Sequence, residues 1–288
     1  MPQDKFSAIW VSHTSLSDFT NCARSYYLKH VYRDPVTNHK VKLMSPSLAL
    51  GQAVHEVLES LSVLPVDKRF EEPLLEKYER VWSNISGKKG GFTDPETEQL
   101  YKNRGKTMLQ RVMNNPGPVG KLAVKIKMDL PYFWLSDEEG IILCGKIDWL
   151  EYNQKKDGVN IIDFKTSKRD EDPESLQLPI YHLLVRNCQA REVLGASYWY
   201  LDRSDEPAGI VLPNLEESKE KLLRQARLVK VARKLERFKC EYEDGCMYCK
   251  PMEAILKKEA EFVGTDAFNQ DVYILNQSTD EMPESEIL

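Results

Sequence analysis

Two kinds of apolar periodicity divide the chain. Up to about residue 115 the apolar positions recur at helical spacing, as in LALGQAVHEVLESLSVL, where Leu50, Val54, Val57 and Leu61 share one face. An earlier helix is predicted to open at Ser15 or Ser17 and to carry Cys22. Two further amphipathic helices fill residues 67–115, on either side of the loop SGKKGGFTDPET. The first part of the chain is therefore predicted to be helical.

Beyond this point the pattern becomes that of strands. The four predicted strands are KLAVKIKMDLPYFWL, GIILCGKIDWLEYN, GVNIIDFKTSK and GASYWYLDR, and a helix, ESLQLPIYHLLVRNCQAR, separates the last two. This order predicts an antiparallel hairpin followed by a β-α-β crossover. The last long element, LEESKEKLLRQARLVKVARKLERF, is predicted to be a basic amphipathic helix. The fold class is therefore α/β, with a small mixed sheet flanked by helices.

The composition is that of a soluble globular protein. The chain has 288 residues, of which 41% are hydrophobic and 30% charged. It has no apolar run long enough for a membrane helix and no basic segment followed by an apolar run at its start, so we expect a cytoplasmic protein without membrane contact. The net charge of −5 argues against a generally basic nucleic-acid coat protein, but a local basic groove is compatible with it.

Charged residues interrupt an apolar strand at IIDFKTSK. Alternation places Asp163 and Lys165 on one side of this strand and Phe164 on the other, in the core. The preceding hairpin strand, GKIDWLE, offers Asp148 on a neighbouring position. Two carboxylates beside a lysine suit a divalent cation that activates water for phosphodiester hydrolysis. Alone, a D-x-K triplet is more often a solvated face with a surface ion pair.

The triplet occurs in the company of other motifs. The series GQAVHEVLE, GKIDWLE, IIDFKTSK and QLPIYHLL resembles, in this order, the RecB-like branch of the PD-(D/E)XK nuclease superfamily, over residues 12–249. The resemblance implies a restriction-endonuclease-like core with a site for Mg²⁺ or Mn²⁺. It implies that the metal is held by His55, Asp148, Asp163 and the backbone carbonyl of Phe164, that Lys165 is catalytic, and that Gln177 and Tyr181 orient the site or contact DNA.

The implied activity is hydrolysis of DNA, as an exonuclease on single strands or ends, in repair, recombination or CRISPR adaptation. The sequence has no G-x-x-x-x-G-K-[ST] motif, so a helicase would have to be a partner. Many relatives carry a glutamate on the strand before Gly-x-x-Asp, whereas this strand reads KLAVKIKMDL, so a second metal is not expected. Two alternatives stay open: a nucleic-acid-binding module with a decayed site, and a zinc-stapled structural protein.

The cysteines form an independent pattern. Cys240, Cys246 and Cys249 are spaced C-x5-C-x2-C, and Cys22 is the candidate for a fourth ligand to zinc or to an iron–sulfur cluster. The resemblance implies a [4Fe–4S] cluster, as in AddB-type and CRISPR-adaptation nucleases, although the usual order there is C-x2-C-x5-C. Cys144, in a strand, and Cys188, in a helix, are expected to be buried structural thiols.

Basic and aromatic residues supply candidates for contact with nucleic acid. The last long helix carries cations at helical spacing, and the first helix carries aromatic residues beside an arginine. The candidates are Arg224, Arg227, Lys230, Arg24 and Tyr26. Interleaved glutamates make a solvated helix face an equal alternative for the long helix. We expect one nuclease domain over residues 1–275, with a helical insertion at about 64–120, a clasp joining Cys22 to 240–249, and a disordered acidic tail at 276–288.

Overall fold

The computed structural model describes residues 4–275. The helices are α1 (His13–Asn21), α2 (Ala23–Tyr26), α3 (Pro46–Ser60), α4 (Leu74–Asn84), α5 (Pro95–Asn114), α6 (Gln177–Cys188), α7 (Leu215–Lys234) and α8 (Lys250–Leu256). The strands are β1 (Ile9–Val11), β2 (Lys40–Leu43), β3 (Tyr132–Ser136), β4 (Ile141–Cys144), β5 (Trp149–Asn153), β6 (Gly158–Lys165), β7 (Glu192–Tyr200), β8 (Ala208–Ile210), β9 (Ala260–Thr265) and β10 (Gln270–Leu275). None of the described helices is long and apolar enough to cross a membrane.

The strands form three small mixed sheets. Their orders are β1-β4-β3, β2-β10-β9 and β5-β6-β7-β8. In the third sheet β5 and β6 are antiparallel, and β6 runs parallel to β7 through the crossover helix α6. The predicted hairpin and β-α-β unit are therefore confirmed, and so is the α/β class with helices flanking small mixed sheets.

Strand β6 separates two hydrophobic cores. Its residues alternate between them: Ile162 and Phe164 pack into the core that α3, α4 and α5 cover, while Val159 and Ile161 face the core under α6 and α7. This is the period of two that a strand buried on both faces requires. The charged residues at the end of β6 therefore lie where the two cores meet.

The segment predicted as one strand over residues 140–153 is divided, and this prediction was wrong. β4 pairs with β1 and β3, whereas β5 pairs with β6, and Asp148 lies just before β5 rather than within it. The break lies at residues 145–148, and at Gly145 a Cβ atom would lie 3.0 Å from Leu184 Cδ1 of α6. The close approach of α6 to Gly145 thus coincides with the break between β4 and β5.

The predicted strand over residues 121–135 is also shorter than expected. Only Tyr132–Ser136 forms a strand, and the residues before it make irregular contacts with β5, among them an isolated bridge between Ala123 and Glu151. The alternation of lysines with apolar residues in this segment is typical of a strand. Such alternation arises whenever one side of an extended segment is exposed, and it does not require complete backbone pairing.

The ends of the chain differ from the prediction as well. Helix α1 begins after Ser12, whose hydroxyl accepts from the Ser15 backbone N–H, so the predicted caps at Ser15 and Ser17 were wrong. The hairpin of β9 and β10 was not predicted from the sequence. β10 pairs in parallel with β2, more than two hundred residues away, and such a pairing leaves no local signal. The predicted disordered tail lies outside the described residues.

Candidate active site and cysteine clasp

The strand register exposes one backbone donor near the end of β6. β5 begins at Trp149, which pairs with Ile162, so the N–H of Phe164 has no partner in the β5 backbone. Asp148 fills this place, and its Oδ2 accepts from Phe164 N at 2.9 Å. The first carboxylate is thus fixed to the backbone between the two residues that carry the other charges.

Lys165 lies among three acceptors. Its Nζ lies 3.0 Å from Asp163 Oδ2 and 2.5 Å from Glu171 Oε2, and it donates to Gln177 Oε1 at 2.5 Å. The Tyr198 ring centroid lies 4.9 Å from the same nitrogen. Burial lowers the pKa of Lys165, but the two carboxylates outweigh burial and raise it. The lysine is therefore held as an ammonium ion.

The first turn of α6 holds the second carboxylate in place. Gln177 Nε2 donates to Asp163 Oδ1 at 2.7 Å and to the Tyr181 hydroxyl at 3.2 Å. Since Gln177 Oε1 also accepts from Lys165, one amide orients a carboxyl group, an ammonium group and a phenol together. Gln177 and Tyr181 are one helical turn apart, which is why both reach the site.

His55 approaches from α3 on the opposite side. Its Nδ1 lies 3.4 Å from Asp148 Oδ1, and its ring meets Phe164 edge-on with centroids 6.2 Å apart. Burial lowers the pKa of His55, but Asp148, with smaller contributions from Asp163 and Glu59, raises it to about 8. The imidazole thus compensates part of the negative charge.

The charge balance of the site fits a bound cation. Burial, followed by repulsion from Asp148, raises the pKa of Asp163 to about 7. Its Oδ2 is buried and its contact within the described residues is the ion pair with Lys165 at 3.0 Å. A divalent cation would compensate both carboxylates, and carboxylate oxygens are its preferred ligands. The role of the Phe164 carbonyl stays a prediction.

Two acidic residues near this site were missed from the sequence. Glu59 lies one turn after His55, and one donor atom each from His55, Glu59 and Asp148 lie within 4.8 Å of one another. The spacing of four residues from His55, which puts both on one helix face, is a signal that would have found it. Glu171 lies in the loop between β6 and α6, and nothing in its neighbourhood in the sequence distinguishes it.

A cavity of about 990 Å³ opens beside His55, Glu59 and Asp148. The hairpin of β9 and β10 forms its far wall, and Phe268, which is 85% exposed, lies at the tip of that hairpin. The lysines among its lining residues are Lys42, Lys89, Lys125 and Lys146. The acids of the lining are Glu56, Glu59, Asp129, Asp148 and Asp266, and two of the lysines pair with them. The carboxylates therefore lie at one side of a cleft of mixed charge.

The four predicted cysteine ligands come together. One Sγ from each of Cys22, Cys240, Cys246 and Cys249 lies within 4.8 Å of the others, and the Sγ atoms of Cys246 and Cys249 are 3.8 Å apart. Cys22 lies at the break between α1 and α2, and Cys249 at the start of α8. We call this group the cysteine clasp.

The thiols of the clasp differ in their environments. Burial raises the pKa of Cys22 to about 12. Burial also acts on Cys246, but backbone N–H groups of Tyr248 and Cys249 outweigh it and lower the pKa to about 7. Four thiols with ligand spacing fit a soft metal, which requires thiolates. By contrast, Cys144 and Cys188 lie outside this group. Cys144 is buried, as predicted, with its Sγ directed to the Val11 carbonyl, whereas Cys188 is only partly buried, so the prediction of burial was wrong there.

The candidates for nucleic-acid contact are less favourably placed. Tyr26 is 1% exposed and stacks on Phe238, so its ring is covered and the prediction that it flanks a nucleic acid was wrong. Arg24 pairs with Glu253 of α8 at 3.1 Å. On α7, Arg227 pairs with Glu139 at 2.6 Å and Lys230 donates to the carbonyl of the same residue. Arg224 is exposed on that helix.

The comparison with protein families agrees with this geometry. The model of the PD-(D/E)XK nuclease superfamily matches residues 10–253. Because this match covers most of the chain, the protein belongs to the PD-(D/E)XK nuclease superfamily, and the resemblance seen in the motifs is confirmed. Membership supports a metal-dependent nuclease in general terms. No protein in the curated collection matches the chain significantly.

Proposed function

We propose that the protein is a Mg²⁺- or Mn²⁺-dependent deoxyribonuclease that acts as an exonuclease on single strands or DNA ends. The observation that carries this proposal is the junction of Asp148, Asp163 and Lys165 at the end of β6. A cation bound by the two carboxylates would polarise the phosphodiester and lower the pKa of a bound water. His55 and the carbonyl of Phe164 would complete its ligands.

Lys165 contributes charge rather than proton abstraction. Its Nζ lies within 3.0 Å of Asp163, Glu171 and Gln177, and the two carboxylates raise its pKa, which favours the ammonium form. A fixed ammonium beside the scissile phosphate stabilises the negative charge that develops on the phosphoryl oxygens. Gln177 keeps both Asp163 and Lys165 in position, because each bonds to one end of its amide.

The cleft supports a single-stranded substrate. Its exposed Phe268 and two exposed lysines, Lys89 and Lys125, combine an aromatic surface with local positive charge, which is typical of proteins that bind unpaired strands. Phosphates that follow these lysines would pass the Asp148 carboxylate on the opposite wall.

We propose that the cysteine clasp holds a metal centre that joins the two ends of the domain. The resemblance to AddB-type and CRISPR-adaptation nucleases favours a [4Fe–4S] cluster. The close spacing of the thiols favours a single zinc ion, since thiolates at about 2.3 Å from tetrahedral zinc lie about 3.8 Å apart. Analysis of iron, sulfide and zinc per chain after anaerobic purification distinguishes the two.

The pathway is proposed from the resemblance alone. It points to DNA repair, recombination or CRISPR adaptation, with any helicase supplied by a partner. The six cysteines form no disulfide among the described residues, which supports a reducing compartment such as the cytoplasm. Copurification from cells under anaerobic conditions would identify such a partner.

The test of the activity uses end-labelled single-stranded and duplex DNA with Mg²⁺, Mn²⁺ or chelator. We expect metal-dependent release of short products from an unpaired end, and none after Asp163→Ala. A protein that binds DNA without cleaving it under any metal would instead be the decayed binding module. A protein that does neither, and contains one zinc, would be the stapled structural protein.

A further inference from the structure

We propose that Arg33, Lys40 and Arg233 bind a phosphate group of the DNA strand at a position outside the catalytic site. We call these three residues the basic cluster. They lie on segments that border the small core of the cysteine clasp, which includes Tyr32 and Val41. This inference rests on the proposed function, because it takes DNA as the substrate, but it uses none of the residues that would bind the catalytic metal.

A turn brings the first two cations together. The Asp34 backbone N–H donates to the His39 carbonyl at 2.9 Å and closes this turn. Arg33 directly precedes the closing pair and Lys40, the first residue of β2, directly follows it. The two cations therefore occupy facing positions, where like charges repel each other.

The end of α7 brings the third cation. Phe238 packs on the rings of Tyr26 and Tyr27, with centroids 6.0 and 5.1 Å apart. These contacts hold the end of α7 against α2 and the π-helical turn that follows α2 at Tyr27–Val31. Arg233, in the last turn of α7, lies beside the Tyr26 hydroxyl. Segments from three parts of the chain thus converge on one positively charged position.

No carboxylate pairs with the basic cluster among residues 4–275. Burial lowers the pKa of Lys40, and the charges of Arg33 and Arg233 lower it further. The acids nearest in the sequence are Asp34 and Glu236. Asp34 Oδ1 accepts from two backbone N–H groups of its own turn, and Glu236 is exposed. A bound anion would therefore relieve repulsion that the protein leaves uncompensated.

The basic cluster continues the line of the cavity. Alternation along β2 puts Lys40 and Lys42 on one face, whereas Val41, which is 3% exposed, lies on the other. Lys42 lines the cavity, about 6–7 Å from Lys40 along the strand. Since Lys42 pairs with Asp266 at 3.7 Å, the uncompensated charge on this path belongs to the cluster. A strand that leaves the cavity beside Lys42 would meet the cluster with its next phosphates.

The chemistry of the three side chains suits a phosphate group. Each guanidinium group can donate two parallel hydrogen bonds to phosphate oxygens, and the ammonium ion adds a compact positive charge. A free phosphate ion offers the same oxygens as a DNA strand. The continuity with the cavity favours DNA, because the cluster then lies on the path of a strand whose other phosphates pass the carboxylates.

The test combines binding with cleavage. Binding of a labelled single strand of about 16 nucleotides is measured in the full chain carrying Asp163→Ala, so that the strand stays intact. Adding Lys40→Gln or Arg33→Gln should weaken binding about three- to tenfold and reduce the slope of affinity against salt by about 0.7. In the chain with Asp163 intact, either substitution should raise KM for this strand without changing kcat. Cleavage of strands of about four nucleotides, too short to reach the cluster, should not change.

Controls separate binding from a structural role. Lys29→Gln removes the same charge from the neighbouring π-helical turn, where Lys29 already pairs with Asp18 at 2.7 Å, and should leave binding unchanged. Lys40→Arg keeps the charge and should keep the affinity. Lys40→Gln should melt at or above the temperature of wild type, because it relieves repulsion from the two arginines. Weaker binding without loss of stability is the mark of a binding residue.

The outcomes distinguish this inference from the proposed function. Unchanged binding in Lys40→Gln and Arg33→Gln, an equal loss in Lys29→Gln, or weaker cleavage of the shortest strands would each overturn the cluster as a site for DNA. Inorganic phosphate that stabilises wild type but not Lys40→Gln, with DNA binding unchanged, would assign the cluster to a small anion instead. Binding that depends on the cluster, in a wild type that cleaves DNA with no metal, would overturn the nuclease and keep the cluster.

Discussion

The carboxylate site and the cysteine clasp are held together in opposite ways. Asp163 lies on β6 and Asp148 just before β5, and hydrogen bonds from Phe164 and Gln177 fix the two carboxylates before any ion binds. The clasp gathers loop and helix-end residues from both ends of the domain, around a small core that includes Leu28 and Met252. Protein contacts fix the carboxylate site before a metal binds, whereas a metal at the clasp would itself hold distant parts of the chain together. Catalysis and stability should therefore respond to different substitutions.

The largest effect is expected in catalysis. Asp163→Ala should abolish cleavage, and Lys165→Ala should slow it on the order of 10²–10³-fold, because a fixed charge at the reacting phosphate is lost. Both variants should retain the metal of the clasp and melt close to wild type. Single-turnover cleavage of labelled single-stranded DNA measures the rate. Wild-type rates in either variant would contradict the site.

The clasp should show the reverse pattern. Cys22→Ala should lose its metal and lower the melting temperature by about 10 °C, since each kcal/mol corresponds to about 2–4 °C in a chain of this size. The absorbance of a cluster, if present, should disappear, and hydrogen exchange should increase in residues 18–30. Cys144→Ala is the control and should keep its metal. Full metal content in Cys22→Ala would remove this residue from the clasp.

A smaller effect is expected from Glu171, the residue that holds the far side of Lys165. Glu171→Gln should reduce kcat by about three- to tenfold with KM unchanged, because only the position of the ammonium is disturbed. Glu171→Asp should restore part of the rate. Glu174→Gln, on the same loop and exposed, is the matched control. A change in KM alone would assign Glu171 to substrate binding instead.

Substitutions in the cleft and on helix α7 should affect DNA binding differently. Lys125→Gln should weaken binding of single-stranded DNA about two- to fivefold and reduce the slope of affinity against salt by about one. Arg227→Gln should change neither, because Arg227 is paired with Glu139. Titrations at several salt concentrations measure both. A larger effect at Arg227 would move the DNA path to α7.

The smallest effect concerns pH in the metal-free protein. The pKa of His55 is raised to about 8 from 6.5, so its contribution to stability is complete below pH 6.5 and is lost as the pH rises through 8. Asp163, raised from 3.8 to about 7, acts in the same direction at lower pH. The melting temperature should fall from pH 6 to 8.5, and less so in His55→Gln. Stabilisation by added Mn²⁺ should increase over this range, because metal and protons compete.

The sequence predicted the parts of the site that depend on the residue periodicity of a single strand or helix. Alternation along β6 placed Asp163 and Lys165 together, and the turn of α6 placed Gln177 near Tyr181. It did not predict Glu171, since a loop has no period. The β2–β10 pairing was not predicted for a different reason: it joins segments that are distant in the sequence. The covered ring of Tyr26 shows that exposure depends on packing that local pattern does not contain.

The pairing of β2 with β10 also sets an order for biosynthesis. A ribosome that adds about 5–20 residues per second leaves β2 without its neighbour for roughly 10–50 s, until the last strand emerges. The hairpin residues Val263 to Phe268, which close the cavity, are translated in the same final interval. The nascent chain thus displays its carboxylates long before it has a complete cleft, and the cavity wall is completed only after β9 and β10 have emerged.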